Sequence, residues 1–473
     1  MLLAALLGYA ALQVALGVWL ARAVRDTSGF FVAGRSLGPG LLFATLLAAN
    51  VGAGSTVGAT GLGYTHGLAA WWWVGAAAIG SAVQAMWVGP ALRAQSAAHD
   101  LTTMGDWLAW RYDARVRTAV SLLLWVGSLA ILAGQLIAMA WVLEAITGLP
   151  KAWGATLGGA VVMAYFASGG LRGAVGVNVV QVTVKVIGFG VALPMVLAAA
   201  GGFTAVRTGA ESSGLWNALQ HETVGWPLVF VLAPAFVVSP GLVQKVFGAR
   251  DDKAVRTGVG LNAVALLLFA PMPALFGLAA RALHSGLPNA ELALPTLLAQ
   301  DLPTAVGALG LAALFSAELS AADAVLFMLS TSLARDLWQK TIRPEASDAQ
   351  VLRVVRLAAV GAAVAGVAIA IVAPSVVGAL SIFYSLMSAG LFVPVLGGLA
   401  WRRAGAGAGL AAVVVGAGGM LAARYLVAPG GLPGWCPPSL VGIVASAVAY
   451  LLVGLLGTRN GKTDRTRSTA RTA

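Results

Sequence analysis

Three ionisable side chains lie where an apolar helix tolerates charge worst. Glu318 and Asp323 sit inside LFSAELSAADAVLFMLSTSLARD, residues 314–336, and Lys185 sits inside VVQVTVKVIGFG, residues 179–190. A charge at the centre of a membrane helix costs roughly 2.5–3.5 kcal/mol on insertion scales, so such a residue marks a functional site by default. Carboxylates offer hard oxygens to a cation. A buried lysine amine is a built-in cation, and burial brings it toward proton exchange near neutral pH. Ion or proton handling is therefore the chemistry these residues could do.

The elements around them are membrane helices. The chain has 473 residues, 59% hydrophobic and only 10% charged, with a mean hydropathy of +0.88; a soluble chain carries about 25% charged residues. The fold class expected is all-α and polytopic. Thirteen spans are read at 3–24, 39–65, 70–94, 118–147, 152–169, 174–200, 226–247, 256–281, 303–332, 352–374, 377–400, 406–427 and 437–457. The first is too long for a signal-peptide core and is expected to be retained. With the N-terminus outside, cytoplasmic segments hold 24 of the 29 Lys and Arg, outer segments hold four (Lys151, Arg207, Arg281, Arg424), and Lys185 lies within a span. This asymmetry obeys the positive-inside rule, so the net charge of +12 reads as topology and not as a nucleic-acid surface. The setting expected is a bacterial-type inner membrane with the C-terminus cytoplasmic. The basic tail 459–473 is expected to be disordered, after one transporter domain over 1–458 with repeats at about 39–200 and 226–400.

Other function classes find little support. The lone Cys436 and the scattered His66, His99, His221 and His284 make no metal cluster or catalytic triad. No G-x-x-x-x-G-K-[ST] loop is present, and no loop is long enough for a nucleotide-hydrolysing module. An enzyme is not expected, nor any cofactor beyond a coupling ion. A transporter-like sensor subunit is disfavoured because no output domain is visible.

Two spans read as interrupted. Span two carries Asn50-Val51-Gly52-Ala53-Gly54-Ser55 at its centre, and each Gly there costs about 1 kcal/mol relative to Ala. Span seven is broken by Pro234, Pro240 and Gly241. Close packing through small residues is the plain alternative for span two. Five spans separate the two breaks, which points to two five-helix halves, spans 2–6 and 7–11, with a solute and ion site near the midplane.

The segments FFVAGRSLGPG, TLLAANVGAGSTVGATGLGY, YFASGGLRGAVGVNVVQ, GLVQKVFGARDDKAVRTG, STSLARD and LFVPVLGGLAWRRAGAGAG, in that order from about residue 29 to 410, resemble the sodium:solute symporter family. The resemblance implies a five-plus-five inverted repeat of leucine-transporter type, with one helix before it and two after. It implies cation-coupled symport, sodium expected, of a small organic solute such as an organic or amino acid. It also implies a sodium site between spans two and nine, with backbone oxygens of Ala48, Val51 and Ala317 and the hydroxyl of Ser320. Position 321 is Ala where the family usually has Ser or Thr, so one ligand is missing. Family members often carry Asp at the position of Asn178, and Asp323 stands at a position where some use a hydroxyl. Trp72 aligns where the family's sugar transporters have Glu, which disfavours a sugar.

Against that frame Lys185 has three readings. It lies 12 residues from Gly173, and Asp323 lies 13 from Asp336, so both are roughly 18–20 Å deep. Snorkelling is disfavoured, since the lysine stem reaches only about 6 Å. A static ion pair with Asp323 is the second reading. In the third, the amine occupies or borders the ion site, replacing sodium or carrying a proton. Asn178, seven residues from Lys185, shares its helix face. Glu318 lies about 200° around the helix from Ser320 and is expected to face an outer vestibule or a neighbouring helix. Asn50, Ser55, Thr56, Trp72, Phe383 and Tyr384 are the candidates for the solute pocket, with an interfacial belt the competing place for Trp72.

Overall fold

In lipid every backbone N–H and C=O must find its partner within the protein, and a helix does this locally. The computed structural model describes residues 1–21, 32–166, 170–219, 224–427 and 431–469, and it is all-helical but for a single bridge between Leu37 and Ala249. Among the described residues ten helices are long and apolar enough to cross a membrane, beside the thirteen spans read from the sequence. Span two is cut at its centre, so Pro39–Asn50 stands alone and the remainder runs on into span three; Leu2–Gly17 and Lys151–Phe166 are apolar helices that are shorter within the described residues. Side chains such as Leu122, Val126, Val264, Leu268, Val360 and Val364 are exposed, as a lipid-facing belt requires.

The two broken spans position the site. In span two the helix Pro39–Asn50 ends at Val51 (φ −91°, ψ 88°) and resumes with a π-helical turn at Gly54–Gly58 before Ala59–His66. Gln135 from span four (Ala114–Thr147) accepts the Ala53 backbone N–H at 2.9 Å, and Ser55 Oγ accepts that of Gly52 at 3.0 Å. These bonds replace helical ones lost at the break. Gly52 is required by contact, because a Cβ there would lie 2.4 Å from the Ala321 Cβ and 2.9 Å from Gln135 Oε1. Span seven breaks at Ser239, between Val229–Val238 and Pro240–Phe247, with proline at the first helical position, where its missing N–H costs nothing.

Span six (Gly170–Ala199) packs against span nine (Thr304–Thr331) and against the first half of span two, which brings three helices to one point. Span seven packs against spans three and eleven. The loop after span three forms the helix Met104–Arg111 with Trp107 and Leu108 buried. It latches the π-helical continuation of span nine, Ser332–Ile342, through Thr103 to Asp336 (2.6 Å) and Asp106 to Arg335 (3.3 Å). The last span begins at Pro438 and leads into the basic tail from residue 459. Residues 470–473 of that tail lie outside the described residues.

Candidate functional site

The break in span two turns the carbonyls of Ala48 and Val51 away from helical partners, and Lys185 from span six fills the space. Its Nζ donates to Ala48 O at 2.8 Å, Val51 O at 2.9 Å and Ser320 Oγ at 2.7 Å. An ammonium has three N–H donors, and all three are used. The Ser320 hydroxyl lies 2.7 Å from Ala48 O and 3.1 Å from Ala317 O, and donates toward them. Ala48, Val51, Ala317 and Ser320 thus form one cluster, and a lysine ammonium, only 3% exposed, stands at its centre.

The remaining charges are arranged differently from the sequence reading. Asp323 makes no ion pair with Lys185 among the described residues; its charge acts on Lys245 instead. Both are buried. Asn178 donates to Thr45 in span two at 2.8 Å, so it braces that span rather than span nine. Glu318 is fully buried, with one carboxylate oxygen accepting the Thr56 hydroxyl at 2.9 Å and the other without a partner. It therefore faces the resumed half of span two and acts electrostatically on Lys185.

A cavity of about 70 Å³ lies between the two breaks. Asn50, Ser55, Phe383 and Tyr384 line it. Thr56 does not, because its hydroxyl is turned to Gly52 O and Glu318. Trp72 does not either: its Nε1 donates to Ala218 O at 2.8 Å on the rim, and the neighbouring Trp73 lines the cavity against Tyr384 (ring centroids 6.2 Å apart). One residue along a helix turns a side chain by about 100°, enough to exchange the two. Sequence reasoning missed Lys245, which it placed among cytoplasmic loop charges. Lys245 is 4% exposed and lines the cavity; its place within the helix started by Pro240 was the available signal.

Comparison with known proteins agrees with this architecture. The sequence model of the sodium:solute symporter family matches residues 30–416. The sodium/pantothenate symporter of Escherichia coli is 30% identical over 469 residues, covering 91% of this chain and 90% of that protein. The sodium/glucose cotransporter of Vibrio parahaemolyticus is 26% identical over 84% of this chain and 80% of its own length. Among solved structures, a Na⁺-coupled sialic acid symporter in a substrate-bound outward-open state superposes with a TM-score of 0.80 at 19% identity, over 96% of this chain and 97% of that one. That likeness shows the fold.

Proposed function

Because the chain belongs to the sodium:solute symporter family, and so is a multi-pass membrane transporter that symports a small solute with a cation, sodium being the coupling ion of that family, we propose that Lys185 is the resident cation of its ion position. The observation that carries this is the three-way contact of the Lys185 amine with Ala48, Val51 and Ser320. In this reading sodium reaches the position as the amine withdraws, and return of the amine expels it. The solute is a small organic molecule held between the breaks of spans two and seven. The cavity there has room for only a few waters, at about 10–15 Å³ each, so loading requires the helix bundles to part, as alternating access provides. The orientation that fits the distribution of Lys and Arg is N-terminus outside and C-terminus cytoplasmic in an inner membrane. We propose no catalytic role for any of these groups.

A second reading has the Lys185 proton as the coupling ion. Ala321 favours it, because a sodium in the vacated seat would find only the oxygens of Ala48, Val51, Ala317 and Ser320, one short of about five. Uptake into proteoliposomes under separate sodium and proton gradients tests both, with pantothenate, the solute named for one relative, as the first to try. Sodium-driven uptake equal in wild type and Lys185→Ala would remove Lys185 from the coupling step. Uptake driven by a proton gradient alone would select the second reading.

A further inference from the structure

We propose that the cavity takes a small organic anion, a monocarboxylate with an apolar body, and that Lys245 reads its charge. This deepens the symport reading above and rests on it. Lys245 is nine-tenths buried, yet its amine has no hydrogen bond or ion pair among the described residues. It is also absent from the sealed, unpartnered polar atoms of the interior, so it opens onto the cavity. The contrast with Lys185, whose three donors are all used, is direct: one buried lysine is satisfied by the protein and the other is left for a ligand.

The rest of the wall agrees. No Asp, Glu, Arg or His lines the cavity, which leaves Lys245 the one charged side chain of the lining. Asp323 acts on Lys245 from outside the lining and beyond ion-pair distance. The helix Pro240–Phe247 begins at the break, with Ser239 and Gly241 on the cavity. Its N-terminal end adds positive potential there, and the Lys245 side chain leans back toward that end. Trp73, Phe236 and Phe383 offer an apolar wall, while Asn50 and Gln135 offer hydrogen bonds. An α-amino acid fits poorly, because its ammonium would meet no carboxylate in the lining. A sugar would leave the Lys245 charge buried and unused.

The test uses the full-length protein and matched pairs: pantothenate against panthenol, phenylacetate against phenylacetamide, with phenylalanine as the zwitterion. Binding is read by ligand-induced thermal stabilisation and transport by uptake into proteoliposomes. At least one acid is expected to bind about thirtyfold or more tightly than its neutral partner. Lys245→Arg should keep that preference, and Lys245→Met should abolish it, chiefly through KM. The inference is overturned if no acid binds, if neutral partners bind as well as the acids, or if Lys245→Met leaves the preference intact. The acid-against-neutral comparison on the wild type decides the matter even if the variant does not fold. An acid that binds through Lys245 but enters under no ion gradient would sink the symport reading and leave the anion seat standing.

Discussion

Lys185 and Ser320 belong to different halves of the fold, and the 2.7 Å hydrogen bond between them ties span six to span nine across the carbonyls of span two. Removing the amine strands the Ala48 and Val51 carbonyls. Lys185→Ala is expected to lose about 3 kcal/mol of stability. Part of this should return in sodium chloride but not in choline chloride, since sodium fits the vacated oxygens. Melting curves in the two salts check this; wild-type stability with no sodium response would contradict it.

Ala321 is the gap in that oxygen set. In the Lys185→Ala background, Ala321→Ser should supply a hydroxyl and tighten sodium binding about tenfold, the equivalent of roughly 1.4 kcal/mol. Sodium titration of thermal stability in the single and double variants measures it, and an unchanged or weaker response counts against the assignment of the ion position.

Gly52 sits under Ala321 and Gln135. Gly52→Ala forces a methyl into contacts of 2.4 and 2.9 Å, so it should cost about 1–3 kcal/mol by overpacking and shift the Gln135 contact to Ala53. The expected readout is lost transport with a lowered melting temperature. Near-normal uptake would show that the break relaxes freely.

Glu291 lies outside the spans, on the connection between spans eight and nine. Its carboxylate accepts the backbone N–H of Val376 (3.0 Å) and Val377 (3.2 Å) and the Trp141 indole N–H (3.0 Å). An amide in its place turns an NH₂ toward donors. Glu291→Gln should therefore destabilise by about 1–3 kcal/mol and raise local hydrogen exchange at the start of span eleven. Unchanged protection at Val376 and Val377 would refute the role.

Asp251 caps span eight in the loop after span seven. Its carboxylate accepts the Ala254 backbone N–H at 2.7 Å, which, with Arg250 beside it, holds the carboxyl below its ordinary value. A group depressed in the folded state contributes stability above its unfolded value, about 3.9, and loses it as pH falls through the folded one. Asp251→Ala should thus lower the melting temperature at pH 7 and match the wild type once the medium is acidic enough to protonate Asp251 in both states.

The features legible in the sequence are those that act locally. Gly and Pro weaken helix interiors, so the breaks at residues 51–53 and 239 were visible in Gly52, Gly54 and Pro240, although Pro234, read as part of the same interruption, stays within the helix Val229–Val238. Lys185 could be placed by counting residues from the membrane surface. What was not legible depends on how helices are rotated and tilted against one another. Trp72 and Trp73 are adjacent and equally plausible until span three is docked. Lys245, near the expected end of span seven, reads as a surface charge until Pro240–Phe247 is folded inward. Asp323 and Lys185 match in depth, yet depth does not fix azimuth, and the charge of Asp323 acts on Lys245 instead.

A cation fastened to the polypeptide differs electrically from one borrowed from the medium. A free sodium ion that crosses with the solute and is released harvests the membrane voltage, worth about 2.3 kcal/mol per charge per 100 mV. The Lys185 ammonium returns with the carrier, so any field energy gained by that charge on the loaded stroke is given back on the empty one. With Lys185 charged throughout, concentration by voltage must come from the solute or a mobile ion such as sodium, and the reversal potential of transport currents reports which.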